Sequence, residues 1–271
     1  MKILPDATYA PDRHNDPWEK LKQFTDARIA IGRAGCSVPT RAMLEFQLAH
    51  AEARDAVYQA LDVEQINHDL AELGLYSLTV QSQATDKELY LKRPDLGRLL
   101  DEESKQKIVN DPYTRNEQFD VCIVMGDGLS ARAIEENAVP FIRALSEEIR
   151  EANWSIAPIV IATGSRVALG DQVAELVKAK MLVMLIGERP GLSSPDSMGI
   201  YYTWDAKTGC ADAKRNCISN VRPAGLSIHI ATQRLMSLMR NSKQLGFSGV
   251  KLKDEHEIQQ VEGAAPTRLL F

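Results

Sequence analysis

A short apolar run in the second half of the chain constrains the fold more than any other segment. Residues 181–186 (MLVMLI) are consecutive apolar residues, a length typical of a buried parallel strand. Gly187 ends the run, a charged pair begins at Glu188, and Pro190 and Gly191 predict a turn. In an open α/β sheet, ligands bind outside the carboxyl ends of the strands. The run therefore predicts a strand whose end presents the Glu188 carboxylate to a ligand, and a surface turn that faces water is the open alternative.

Strand-like and helix-like segments alternate on both sides of this run. Such alternation predicts an α/β fold with a mostly parallel sheet, right-handed crossovers and helices on both faces. The further predicted strands are 121–125, 156–163, 200–204 and 217–221, and the predicted helices among them are 131–152, 171–180 and 227–245.

The chain divides into three predicted segments. Residues 1–111 are predicted to form a loose N-terminal arm and a helical region, 112–249 the α/β domain, and 250–271 a polar C-terminal tail. A helix is expected to begin near Asp16 and another at Thr40. The apolar residues at helical spacing after Pro39, which we expect to pack on one face, are Leu44, Leu48, Ala51, Tyr58 and Leu61.

Composition excludes several classes of function. The formal net charge of −5 argues against a nucleic-acid-binding surface, and no apolar run approaches the roughly 18 residues of a membrane span. The N-terminal segment has no sustained apolar core typical of a secretory signal. The four cysteines form no CxxC pair and indicate reduced thiols in a cytoplasmic protein. The five histidines show no metal-ligand spacing, so we expect no metal site built by the protein alone.

Three glycine-containing loops follow predicted strands: GDGLS (126–130), TGSRV (163–167) and GERPGL (187–192). Glycine lets the backbone approach a ligand closely, and consecutive N–H groups before a helix favour an anion. Neither GxGxxG nor a GxxxxGK[ST] phosphate loop is present, which argues against a nicotinamide or nucleoside triphosphate site. Asp127 and Ser130 are interpreted as helix caps.

The residue pattern gives little support for nucleophilic catalysis. Cys217 has no histidine close in sequence, and a buried cysteine is more often a small apolar residue. His229 stands between two isoleucines on a predicted helix and is interpreted as a core histidine. The segment that begins at Asp12 starts like the D-x-H-x-x-G signature of corrinoid proteins, but Pro17 occupies the glycine position, so this match is rejected.

Six passages spread over most of the chain carry a resemblance to a known family. They are GRAG (32–35), KELYLKRPDLGRLL (87–100), GDGLSARAI (126–134), RVALGDQ (166–172), LIGERPGL (185–192) and NCISN (216–220). In this order they resemble the small (light) subunit of ethanolamine ammonia-lyase, an adenosylcobalamin-dependent radical enzyme. The resemblance extends from about Asp16 to Gly246.

The resemblance implies that residues 112–249 form a Rossmann-like domain, which binds adenosylcobalamin jointly with a large TIM-barrel subunit in a hetero-oligomer. The cofactor contacts of the family fall here on Val167, Glu188 and Cys217. Cobalt is expected to keep the cofactor's own dimethylbenzimidazole, without a protein histidine ligand from this chain. No catalytic residue is assigned, because the residues that bind ethanolamine belong to the large subunit.

The implied reaction converts ethanolamine to acetaldehyde and ammonia, and the implied location is the cytoplasm, including a bacterial microcompartment. Two alternatives stay open. One is a self-contained α/β enzyme that uses the glycine loops for a phosphate-containing ligand. The other is a binding module without turnover.

Overall fold

The computed structural model describes residues 17–33, 35–115 and 117–252, so the arm predicted before Asp16 and most of the tail predicted after residue 249 lie outside the described residues. The chain forms two compact units, residues 1–52 and 53–271. The second unit contains the whole sheet.

The first unit contains a 3₁₀ helix, Pro17–Phe24, and most of helix α1, Thr40–Tyr58. The packed face predicted from Leu44 to Leu61 is wrong for its large residues on α1, because Leu44 and Leu48 are 58% and 61% exposed and Tyr58, which belongs to the second unit, is 62% exposed. Leu61, which follows the helix, packs against the core as predicted. Further exposed apolar residues of the first unit are Trp18, Leu21, Phe24, Ile31, Val38, Met43 and Phe46.

The second unit is an α/β domain around a six-stranded sheet of order β1-β3-β2-β4-β5-β6. The first four strands in this order are parallel, whereas β5 runs antiparallel to both β4 and β6. The sheet is therefore mixed. Its strands are β1 (Ser77–Gln81), β2 (Phe119–Gly126), β3 (Ile159–Thr163), β4 (Ala179–Gly187), β5 (Met198–Trp204) and β6 (Arg215–Val221).

Helices cover both faces of the sheet because its central strands are apolar on both sides. Along β2, Val121, Ile123 and Met125 pack into one buried cluster, and Cys122 and Val124 pack into the other. The first cluster includes residues of α2, α5 and α7, and the second includes residues of α4 and α6. The helices that follow α1 along the chain are α2 (Val63–Glu72), α3 (Lys87–Lys92), α4 (Glu102–Asn110), α5 (Ala131–Glu151), α6 (Leu169–Leu176) and α7 (Ile228–Leu245).

Side-chain caps fix where several helices begin. Asp62 accepts a hydrogen bond from the Gln65 N–H at the start of α2, and Ser130 does the same for Ala133 at the start of α5. At the other end of α7, Gly246 has φ of +77°, a left-handed conformation that glycine adopts without strain. The cap predicted for Ser130 is confirmed.

The strands predicted from apolar runs are confirmed, whereas the predicted end of one helix is wrong and one strand was not predicted. Helix α6 ends at Leu176, before the predicted 180, because Ala179 and Lys180 already belong to β4. Strand β1, which pairs in parallel with β3, was not predicted and lies in the segment expected to be helical. Among the described helices, none is long and apolar enough to cross a membrane.

A substitution at Gly187, the last residue of β4, can test how tightly this edge of the sheet is packed. A Cβ atom at Gly187 would lie 2.0 Å from the Ser130 carbonyl oxygen and 2.6 Å from that of Asp127, both backbone atoms. We expect Gly187→Ala to lower the free energy of unfolding by about 1–3 kcal/mol in urea denaturation, because the backbone must shift. Gly191→Ala is the control, since its nearest neighbour is the movable Ser194 hydroxyl. Equal stability of the two variants would contradict this packing.

Candidate functional site

The loops after β2, β3 and β4 meet at one edge of the sheet, and a buried carboxylate joins two of them. Asp127, only 9% exposed, accepts hydrogen bonds from the backbone N–H groups of Gly128 (2.9 Å), Gly164 (3.1 Å) and Ser165 (2.9 Å). Asp127 is therefore not the helix cap that the sequence predicted. Burial raises the pKa of this carboxyl group, while Lys87 and the three N–H groups act in the opposite direction.

The third loop is joined to the first by its backbone. The Leu129 N–H donates to the Gly187 carbonyl oxygen at 2.9 Å. Gly128 permits this approach, since its φ is +54° and a Cβ atom there would lie 2.3 Å from the same oxygen. The three glycine loops thus form one connected edge of the sheet.

Glu188 connects the end of β4 to strand β6. Its Oε1 accepts a hydrogen bond from the Ser219 hydroxyl at 2.6 Å, and its Oε2 accepts from the Asn220 N–H at 3.2 Å and from the Ser197 hydroxyl. Glu188 is half-buried. It is therefore part of the local structure and not a turn residue that only faces water.

Glu188 binds β6 at an irregularity of the strand. Between the pairs Ile200–Ile218 and Met198–Val221, β6 has one residue more than β5, which is a β-bulge. Asn220 lies in this bulge with φ of +61°, a left-handed conformation that asparagine tolerates better than most residues. The Glu188 carboxylate thus holds the bulge in place.

Cys217 lies on β6 beside the bulge and is exposed. Its sulfur is 3.6 Å from the Ser219 hydroxyl, and it pairs with Tyr201 across the two strands. Burial raises the pKa of Tyr201 to about 12, with a further contribution from Cys217, so the phenol stays protonated near neutral pH. The expectation that Cys217 is a small buried residue is wrong.

Val167 and Cys217, far apart in the sequence, line one cavity of about 340 Å³. Val167 immediately precedes α6, and Cys217 comes from β6. The other residues that line the cavity are Pro94, Arg98, Arg166, Ala168, Tyr201, Asp212 and Arg215.

A buried ion pair fixes one wall of this cavity. The Arg215 guanidinium donates to both carboxylate oxygens of Asp171, at 2.6 and 2.7 Å, and the two side chains are 3% and 0% exposed. Burial lowers the pKa of Arg215, but the hydrogen bonds and charge of Asp171 together raise it, so the guanidinium stays charged. The pair connects α6 to β6 next to Cys217.

Comparison with known proteins identifies the family of this chain. Residues 15–253 match the family described as ethanolamine ammonia-lyase light chain. The chain belongs to this family. The match covers most of the chain and confirms the resemblance carried by the six sequence passages.

Individual proteins that are similar to this chain carry the name of the same family. The ethanolamine ammonia-lyase small subunit of Pseudomonas aeruginosa strain UCBPP-PA14 is 50% identical over 98% of this chain and 95% of its own length. Proteins of the same name from Pseudomonas fluorescens SBW25 and Pseudomonas syringae pv. tomato DC3000 are 47% and 48% identical, over 94% and 91% of this chain and 92% and 86% of their own lengths.

The residues that the light-chain resemblance assigned to the cofactor lie around one part of the sheet edge. The structure brings Val167 and Cys217 together in the cavity, and Glu188 reaches the same strand as Cys217 through Ser219. His229, interpreted as a core residue, is exposed and bonded to Gln233, so that interpretation is wrong. Among the described residues, no group of three or more His, Cys, Asp or Glu side chains could hold a metal ion.

Several residues of the site escaped the sequence analysis. Ser197 and Tyr201 carry no motif, and Ser219 lies in the NCISN passage but was assigned no role, because the roles of all three depend on which strands are neighbours. Arg166 lies within TGSRV, the loop quoted for its glycine, yet its side chain stacks on Tyr90 with 4.2 Å between the guanidinium carbon and the ring centroid.

The buried ion pair gives a stability test. We expect Asp171→Ala to lower the free energy of unfolding by about 3–5 kcal/mol, because it leaves the Arg215 charge buried and unpaired. Asp171→Ala combined with Arg215→Met should regain part of this loss. Glu136→Ala, which breaks an exposed pair with Arg132, is the control and should cost about 0.5 kcal/mol or less in the same denaturant titration. A similar loss for Asp171 and Glu136 would show that the pair is not buried.

Proposed function

We propose that this chain is the small subunit of an ethanolamine ammonia-lyase, active only with a large subunit, and that it binds adenosylcobalamin through Val167, Glu188 and Cys217. One observation carries the cofactor site. Val167 and Cys217 line the same cavity, and the strand of Cys217 is held by the Glu188 carboxylate.

The side chains at this edge suit a corrinoid. A corrin ring carries neutral amide groups around its rim, which both donate and accept hydrogen bonds. Glu188 supplies acceptor oxygens, Ser219 and Tyr201 supply hydroxyl groups, and Val167 supplies an apolar contact. We also propose that cobalt keeps the cofactor's own dimethylbenzimidazole, without a histidine ligand from this chain.

The part of this chain in the reaction is to bind and orient. When bound, adenosylcobalamin supplies the radical chemistry that converts ethanolamine to acetaldehyde and ammonia. Glu188 fixes the β6 bulge, and Asp127 fixes the loop that leads to Val167, so the contacting atoms are in place before the cofactor arrives. The residues that bind ethanolamine are assigned to the large subunit.

The first unit of the chain supports the need for a partner. Its α1 helix exposes four large apolar side chains close together in the sequence, Met43, Leu44, Phe46 and Leu48, and clustered exposed apolar residues are typical of an interaction surface. We assign this surface to contact with the large subunit in a hetero-oligomer. We further propose that residues 112–249 act as a Rossmann-like cofactor domain, and that the complex works in the cytoplasm or in a bacterial microcompartment.

The proposed activity has a direct test. With adenosylcobalamin and ethanolamine, we expect ammonia release from this chain co-purified with a large subunit and none from either subunit alone. The assay follows ammonia over time, with cofactor omitted as a control. Turnover by this chain alone would favour the self-contained enzyme. A well-formed complex that neither releases ammonia nor changes the absorbance of added cobalamin would overturn the proposal.

Glu188 gives a test of the cofactor site. In the two-subunit complex we expect Glu188→Ala to weaken cobalamin binding about tenfold or more, through the lost acceptor and the loosened bulge, and Glu188→Gln to weaken it less. Glu135→Ala is a matched control, because Glu135 is also half-buried and accepts a backbone and a side-chain hydrogen bond, from Asp62 and Gln59.

Affinity is measured by equilibrium dialysis with the visible absorbance of cyanocobalamin, and complex integrity by gel filtration. Equal affinities of the Glu188 and Glu135 variants, with intact complexes, would remove Glu188 from the site.

A further inference from the structure

The cavity beside Val167 and Cys217 has more positive charge than its own carboxylates balance. Three guanidinium groups line it, those of Arg98, Arg166 and Arg215. Arg215 is paired with the buried Asp171 and also donates to Asp212 at 3.2 Å. Asp212, which lines the cavity, and the buried Asp171 behind it both bind Arg215, so neither carboxylate pairs with Arg98 or Arg166.

Hydrogen bonds to backbone carbonyl groups hold Arg166 in place but do not neutralise its charge. Its backbone N–H donates to the Gly97 carbonyl oxygen at 2.7 Å, and its Nη2 donates to the Tyr90 carbonyl oxygen at 3.2 Å. The guanidinium lies on the face of the Tyr90 ring, while its buried Nε has no hydrogen-bond partner within residues 17–33, 35–115 and 117–252. In the described part of the chain, Arg166 forms no ion pair with a carboxylate, so its charge favours an anionic ligand in the cavity.

Arg98 is placed beside Arg166 by a close backbone approach. The 3₁₀ helix Leu96–Arg98 packs against the loop after β3, and a Cβ atom at Gly97 would lie 2.9 Å from Cγ of Arg166 and 3.0 Å from the Gly164 carbonyl oxygen. Arg98 itself is exposed, and in the described part of the chain it forms no ion pair with a carboxylate.

We propose that Arg98 and Arg166 form an anion site that binds the phosphodiester of the cobalamin nucleotide loop. The inference rests on the proposed cofactor role of this edge. The phosphodiester is the anionic group of cobalamin, whose corrin rim is neutral, and a guanidinium can give a phosphate two parallel hydrogen bonds. The pair would thereby orient the nucleotide end of the cofactor relative to Val167 and Cys217.

Arg98 is the residue to test, because it is exposed and its replacement leaves the buried contacts of Arg166 intact. In the two-subunit complex, we expect Arg98→Gln to weaken cyanocobalamin binding about tenfold, Arg98→Glu to weaken it further, and Arg98→Lys to keep most of the affinity. Arg93→Gln is the control, since Arg93 is exposed on the same segment but paired with Asp95 at 2.6 Å, and it should bind like the wild type.

Cobinamide and cobinamide phosphate separate the phosphate from the corrin ring. Cobinamide lacks phosphate, ribose and base, so Arg98→Gln should change its affinity less than about twofold, whereas the affinity for cobinamide phosphate should fall as for cobalamin. Equal losses for all corrinoids, or no charge order among the Arg98 variants, would overturn the inference.

A weaker subunit association in gel filtration, with unchanged corrinoid affinity of the remaining complex, would assign Arg98 to a carboxylate of the partner and would also overturn it. If the wild-type complex binds no cobalamin, the proposed function itself fails. Normal wild-type binding with insensitive Arg98 variants rejects the phosphate site alone.

Discussion

The buried carboxylate of Asp127 is the interaction on which the ligand edge depends. It satisfies three backbone N–H groups that belong to two different loops, and these groups would otherwise be withdrawn from water without partners. The loop after β3 leads directly from Ser165 to Val167, and the loop after β2 contacts Gly187 through Leu129. The position of each proposed cofactor contact at the parallel strand ends therefore follows from one side chain and a few glycines.

Apolar runs predicted the inner strands because a parallel strand buried on both faces contains few polar residues. They did not predict the order of the strands, and they could not predict β1. Its sequence, SLTVQ, lacks a continuous apolar run, and the signal that could have found it is the alternation of polar and apolar residues over five positions. The antiparallel direction of β5 was not predicted either, because it depends on how the connection from Glu188 to Ser197 turns back.

The sequence predicted the site residue that directly follows a strand, but it did not predict residues whose role depends on which strands lie side by side. Glu188 was found because a charged residue directly follows a buried run. Asp127 was misassigned because Asp shortly before a helix is typical of a cap, and only the folded position of Gly164 and Ser165 shows its true partners. Tyr201 and Ser219 are ordinary strand residues in the sequence, and pairing across β5 and β6 makes them part of the site.

The antiparallel strands have a topological consequence for ligand access. A parallel strand requires a crossover, usually a helix that covers the sheet, but an antiparallel strand can be reached by a loop. Helix α7 covers one side of β5 and β6, whereas α6 packs on β2 and β4. Among the described elements, the side that carries Tyr201, Cys217 and Ser219 thus keeps no helical layer of its own. Cys217, which is exposed, therefore lies on a strand face that a ligand can reach without displacing a helix.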